Sequence, residues 1–207
     1  MLRASVLTVA YRGTPVLTGV DFTVESGSVV GLTGESGAGK TTLVRTLAGL
    51  LTATSGAVTI DEQPVRRYRA AIAMVFQSPR TATNPRYTLA QIIAEPARIR
   101  RDDALDIAEL ATRVGLTRDL LDRRPHEVSD GQLQRACVAR GLAQRPRYLL
   151  CDEPTSMLDA ATTASIIRLL TDQATASGVG VLLVSHDRSL LRVCCTSIST
   201  MRAGSLT

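Results

Sequence analysis

Apolar residues recur along the chain in short runs, each closed by a polar or glycine-rich step. The runs Val29-Val30-Gly31-Leu32-Thr33, Ile72-Ala73-Met74-Val75-Phe76, Arg147-Tyr148-Leu149-Leu150-Cys151 and 179–184 read as buried core strands. Residues 196–201 return to strand pattern, while 41–51, 160–177 and 188–194 carry helical spacing. A second kind of strand alternates apolar and polar positions. Residues 2–9, 20–24 and 57–60 do so, with a turn at Arg12-Gly13-Thr14-Pro15, and predict an antiparallel layer. Pro79 and Pro85 make 78–88 a loop. From residue 89 to about 143 the pattern is helical, interrupted at Pro96 and Pro125, and it lacks strand signals. Strands alternating with helices imply a parallel sheet with helices on both faces. The expected division is one domain over 1–207, with core and β layer in 1–78 and 147–207 and a helical lobe in 79–146.

The stretch Gly34-Glu35-Ser36-Gly37-Ala38-Gly39-Lys40-Thr41-Thr42 lies between the first core strand and the first helix. It fits G-x-x-x-x-G-K-[ST], and the strand–loop–helix setting is what that phosphate-binding loop requires. Its glycines let backbone N–H groups point at phosphate oxygens, and the following helix adds partial positive charge at the same place. Lys40 is expected to reach the β- and γ-phosphates, and the Thr41 hydroxyl to help hold Mg²⁺. Lys40 is the only lysine among 24 basic residues. A compact ammonium suits the phosphate cradle where a planar guanidinium does not. The expected fold class is therefore α/β, a P-loop NTPase (RecA-like) core with an antiparallel β subdomain and an inserted helical subdomain.

In open parallel sheets, ligands bind beyond the carboxyl ends of the strands. Besides the phosphate loop, Gln77, Asp152-Glu153 and His186 end strands in this way. Asp152 is the candidate Mg²⁺ carboxylate. Side chains alternate along a strand, so Glu153 points differently and is the candidate general base. Gln77 offers an amide oxygen to Mg²⁺ or to the attacking water, and His186 a hydrogen bond to the γ-phosphate. His126, within Arg124-Pro125-His126-Glu127, reads as structural. Ser129 reads as the N-cap of a helix that opens Ser129-Asp130-Gly131-Gln132, a second anion-binding helix end far in sequence from the first.

Composition changes this picture little. Hydrophobic residues make up 44% of the chain and aromatics 3%, which supports a sizeable aliphatic core. The net charge of +5 comes without a basic block interleaved with aromatics, so no nucleic-acid partner is expected. No apolar run reaches the ~20 residues of a membrane-spanning helix. The first residues lack a signal peptide's apolar stretch, and the chain reads as soluble and cytoplasmic. Cys137, Cys151, Cys194 and Cys195 lack zinc-site spacing and read as buried, reduced thiols.

Together these motifs resemble the ATPase subunit of an ABC transporter, in order from Tyr11 onward. Tyr11 fits the aromatic that stacks on adenine, Gly34 to Thr42 is Walker A, and Gln77 fits the Q-loop. Ser129 to Gln132 resembles the LSGGQ signature, Leu149 to Glu153 Walker B, Ser156-Met157-Leu158-Asp159 the D-loop, and His186 the switch histidine. The resemblance implies a head-to-tail pair sandwiching two MgATP. Ser129, Gly131, Gln132 and Asp159 would serve the neighbour's nucleotide, and loops near Gln77 would grip a membrane permease. It implies a peripheral protein on the cytoplasmic face of the plasma (inner) membrane, supplied indirectly by a solute-binding protein. Gln77-Ser78-Pro79, Asn84-Pro85-Arg86, Ala94-Glu95-Pro96 and Pro125-His126-Glu127 resemble more narrowly the ATPases of oligopeptide, dipeptide and nickel importers. Many of these continue after the last strands, and a chain stopping at Thr207 reads as a short form. An exporter subunit, or a soluble ABC-type ATPase acting on translation or DNA, is the alternative. One departure stands out: the signature's first glycine is Asp130. Either this carboxylate repels the neighbour's phosphate and the chain pairs with a different, intact subunit, or it points aside and changes little.

Overall fold

The computed structural model describes residues 1–102 and 104–207. In chain order the strands and α-helices are β1 (Leu2–Tyr11), β2 (Thr14–Val24), β3 (Val29–Gly34), α1 (Lys40–Leu47), β4 (Ser55–Ile60), β5 (Gln63–Pro64), β6 (Ile72–Val75), α2 (Leu89–Arg100), α3 (Ile107–Arg113), α4 (Asp130–Ala143), β7 (Tyr148–Asp152), α5 (Ala160–Ser177), β8 (Gly180–Val184), α6 (Arg188–Cys194), β9 (Ser197–Arg202) and β10 (Ser205–Leu206). One sheet has the order β2-β1-β4-β5 and is antiparallel throughout. The other has the order β10-β9-β3-β8-β7-β6, parallel except for β10. This is the expected α/β architecture with an antiparallel layer.

The parallel sheet separates two apolar cores, and each strand serves both because its side chains alternate. On β7, Leu149 and Cys151 join the core beneath α2–α6, whereas Tyr148 and Leu150 join the core shared with β1, β2 and α1. Val181 and Leu183 on β8 divide from Leu182 and Val184 in the same way. Burial on both faces explains why these strands read as continuous apolar runs. β6 and β7 are neighbours in the sheet, so the helices between them leave and return at one edge.

Several boundaries differ from the sequence reading. The first helix stops at Leu47, and Gly49 follows at φ 69°, a left-handed position that turns the chain out of the helix. The second strand starts at Thr14, not at residue 20, because the β1–β2 hairpin pairs Tyr11 with Thr14 and turns on Arg12-Gly13 alone. Pro96 does not interrupt its helix but lies within α2. Burial of Ile92, Ile93, Ala94 and Ala97 holds α2 in place across the lost backbone hydrogen bond. Pro125 does break the pattern, opening a 3₁₀ turn at Pro125–Glu127. Residue 103 of the helical stretch lies outside the described residues. Only Cys137 and Cys151 are buried. Cys194 and Cys195 are half-buried side by side, with sulfurs 3.7 Å apart, because the end of α6 lies at the surface. Burial pushes the Cys137 thiol up to about 11 and that of Cys151 further still, so both remain inert thiols.

Candidate active site

The carboxyl ends of β3, β6, β7 and β8 lie along one edge, and the loops leaving them build an open cleft of about 440 Å³. Gly34, Ser36, Gly37, Gly39, Lys40, Thr41, Thr42, Gln77, Glu153 and His186 all line it. Two glycines make the loop possible. A Cβ on Gly34 (φ 151°) would stand 2.3 Å from the Met201 carbonyl oxygen, and one on Gly39 (φ 107°) 2.8 Å from Leu17. Gly39 is the N-cap of α1 and offers no side chain to its N–H groups, so this helix end is left open to an anion. The buried Lys40 ammonium donates to the carbonyls of Gly34 (2.8 Å) and Glu35 (2.9 Å), folding over the loop it belongs to. Ala38 is buried under the loop and accepts from the Gly204 N–H, and Glu35 borders an adjoining cavity instead of the cleft.

Asp152 and Glu153 are neighbours with different tasks. Asp152, the last residue of β7, is buried and accepts a 2.8 Å hydrogen bond from the Thr41 hydroxyl, across 111 residues of sequence. Burial holds its carboxyl above the usual carboxylate range, and adjacent Glu153 adds to that. The Thr41 hydrogen bond and the charges of Arg45 and Lys40 pull it down. A desolvated carboxylate beside a hydroxyl is a donor pair of the kind Mg²⁺ takes, with water and phosphate oxygens completing its shell. Among the described residues no cluster of three or more His, Cys, Asp or Glu could hold a metal, so the pair fits a shared cation and not a dedicated cage. Glu153 leaves the strand at φ 48°, a conformation unusual for a residue with a Cβ, and this turn aims its side chain elsewhere. Its Oε2 accepts 3.0 Å from the Gln77 amide nitrogen and lies 3.7 Å from His186 Nδ1. His186 is otherwise free to move, with 72% of its side chain exposed.

Other predicted residues lie apart from the cleft. Tyr11 ends β1, 46% exposed, and is not among the cleft-lining residues. Val16 of the same hairpin is, and no motif marked it; its signal was adjacency to the Tyr11 turn. Exposed Ser129 and partly buried Gly131 and Gln132 lie at the start of α4. Ser129 Oγ accepts from the Gln132 N–H, and the Gln132 side chain accepts from the Ser129 N–H, a complete capping box. Gly131 lies against the D-loop stretch of its own chain: a Cβ there would be 3.0 Å from the Met157 carbonyl oxygen. Asp159 caps α5, accepting from the Thr162 N–H and hydroxyl, and these bonds hold its carboxyl below the usual range. Asp130 points to Arg80, whose Nε donates to Oδ1 at 2.6 Å. Arg80 was not legible as a partner.

The fold and the cleft define the nucleotide-binding cassette of a P-loop NTPase. A family model for the ABC transporter matches residues 17–156, and the chain belongs to that family. It is 36% identical over 188 residues to the oligopeptide transport ATP-binding protein OppF of Salmonella typhimurium, covering 84% of this chain and 56% of that protein. It is 37% identical over 204 residues to the nickel import ATP-binding protein NikE of Escherichia coli, covering 92% of this chain and 76% of that protein. The chain thus spans little more than half the length of the peptide-transport relative. Among solved structures it resembles the dimeric ATP-binding cassette MJ0796 in a post-hydrolysis state bound to ADP and Pi. The TM-score is 0.92 at 26% identity, over 100% of this chain and 96% of that one.

Proposed function

We propose that the chain hydrolyses MgATP as the energy-coupling subunit of an ABC importer, driving uptake of a peptide or of nickel or a metal chelate through a membrane permease. The observation that carries this reading is the convergence in one cleft of Lys40, the Thr41–Asp152 pair and the Gln77–Glu153–His186 group. Peptide and nickel import in the relatives' names supports the cargo class.

Lys40 exchanges its two carbonyl partners for β- and γ-phosphate oxygens when ATP enters, and the open end of α1 holds the same phosphates. Thr41 and Asp152 would hold Mg²⁺, which would supply charge neutralisation at the phosphates. Glu153 takes the proton of the water that attacks the γ-phosphorus, the bond to the β,γ-bridging oxygen breaks, and ADP and phosphate leave. Gln77 fixes the Glu153 carboxylate by its amide, and the mobile His186 ring donates to the γ-phosphate. Tyr11 stacks on the adenine from the hairpin. Ser129, Gly131 and Gln132 present the exposed start of α4 to the nucleotide of a second ATPase subunit. Asp159 supports that end by shaping the stretch on which Gly131 rests.

One apolar surface of the chain suits a permease contact. A groove of about 470 Å³ runs between the sheet and α2, lined by Leu50, Met74, Phe76, Pro96 and Ile99, with Leu50 54% and Ile99 78% exposed. Among the described residues no helix is long and apolar enough to cross a membrane. Affinity purification of the tagged chain from detergent-solubilised membranes tests the reading. A co-purifying permease that is lost on Ile99→Asp is the expected result. ATPase activity that depends on added nucleic acid, with no permease captured, would overturn it.

A further inference from the structure

Asp130 is the one residue at the start of α4 whose chemistry opposes the role proposed for that helix end. A carboxylate in the first helical turn is favourable to the helix itself. It is unfavourable to a second anion arriving at the same N–H groups, because like charges at close range repel. The structure supplies an answer to this conflict from a different segment. Arg80 lies just beyond Gln77-Ser78-Pro79, and its guanidinium reaches 50 residues along the chain. Nε donates to Asp130 Oδ1 (2.6 Å), Nη1 to the Pro125 carbonyl (2.9 Å) and Nη2 to the Val128 carbonyl (3.3 Å). The three bonds grip the turn that leads into α4 as well as its first residue. A planar fork with fixed N–H directions can do this; a flexible ammonium cannot. The ion pair is about half exposed on both sides, so it also meets solvent at the surface a neighbour would approach.

We infer that Arg80 is a positioning residue of the composite ATP site: it neutralises Asp130 and turns that carboxylate aside, so that the start of α4 can receive the γ-phosphate of ATP bound to a second subunit. The inference rests on the proposed function. It replaces the choice between an impaired signature and a harmless substitution with a third outcome, in which an arginine compensates the aspartate. It also ties the Gln77 segment, which touches Glu153, to the helix end that serves the neighbour. One short segment of chain thus carries contacts to both.

The test is a cycle of the full-length chain, Arg80→Ala, Asp130→Gly and the double variant. Each is assayed for ATP turnover against protein concentration, for nucleotide affinity of its own cleft, and for thermal melting. Arg80→Ala should lower turnover at least tenfold, leave nucleotide affinity within about twofold, and recover partly at higher ionic strength, where screening weakens the exposed charge. Adding Asp130→Gly should bring the double variant back to within about twofold of Asp130→Gly alone, the non-additivity expected of directly coupled residues. A purely structural role for Arg80 gives a different result, since its bonds to Pro125 and Val128 are lost in both backgrounds and Asp130→Gly cannot restore them. Turnover unaffected by Arg80→Ala, or not rescued in the double variant, would overturn the inference while leaving the proposed function standing. Full turnover by the native sequence while light scattering shows the chain to be monomeric would overturn both, because no composite site would then be at work.

Discussion

Two helix starts in this molecule are the candidates to meet phosphate, and they are built in opposite ways. At α1 the cap is glycine, no side chain satisfies the first turn, and a lysine follows directly. At α4 the cap is serine, a full capping box is closed by Gln132, and the first turn carries an aspartate. The first end is left incomplete, its lysine folded back on loop carbonyls that phosphate is proposed to displace. The second is complete without a ligand, its one mismatched charge balanced by Arg80. The candidate catalytic groups follow the same division. Gln77, Glu153 and His186 line the cleft at the α1 side. In the proposed reading the open end binds and transforms nucleotide, and the closed end recognises the nucleotide of a neighbour.

Perturbing each end should separate these roles. Lys40→Ala should cost nucleotide affinity about 2 kcal/mol, roughly 30-fold, the value of charge-assisted hydrogen bonds to phosphate, as read by titration calorimetry. An equal loss from Ser129→Ala would erase the distinction between the two ends. That variant should instead lower stability by about 1 kcal/mol, the usual value of a lost serine cap, with the chain's own ATP affinity unchanged. A smaller effect serves as a control far from both ends. The N-terminal ammonium and Arg147 hold the Asp61 carboxyl down at about 2. Its folded value lies below the unfolded one, so the stability it contributes is present above about pH 4 and is lost as pH falls toward 2. Asp61→Asn should flatten that part of the acid unfolding curve and leave ATP binding untouched. A change in nucleotide affinity would show that the β layer is coupled to the cleft.

The legible parts of the molecule were those with a strong period or a fixed spacing. β3, β7 and β8 read as continuous apolar runs because both faces are buried, and the phosphate loop read from its spacing within a strand–loop–helix frame. That Asp152 and Glu153 part company followed from strand alternation, although the left-handed turn at Glu153 that completes the separation did not. What stayed hidden was side-chain pairing across long sequence separations. Arg80 looked like one arginine among many, and only the fold brings it to Asp130. The two-residue β10 was too short to show any period, and Pro96 looked like a breaker because the burial that overrides it is tertiary. Val16 carries no chemistry a motif could mark, and it enters the cleft only because the hairpin folds over the loop.

The division between the two ends stands or falls on where the chemistry is done. Steady-state hydrolysis of MgATP by Glu153→Gln, measured beside its nucleotide affinity, addresses that directly. Loss of the carboxylate proposed to take the water's proton should reduce turnover by at least about a hundredfold, while affinity stays within about threefold, because Lys40, Thr41 and Asp152 remain in place. Hydrolysis at the native rate by Glu153→Gln would contradict the assignment of Glu153 as the base at the α1 end.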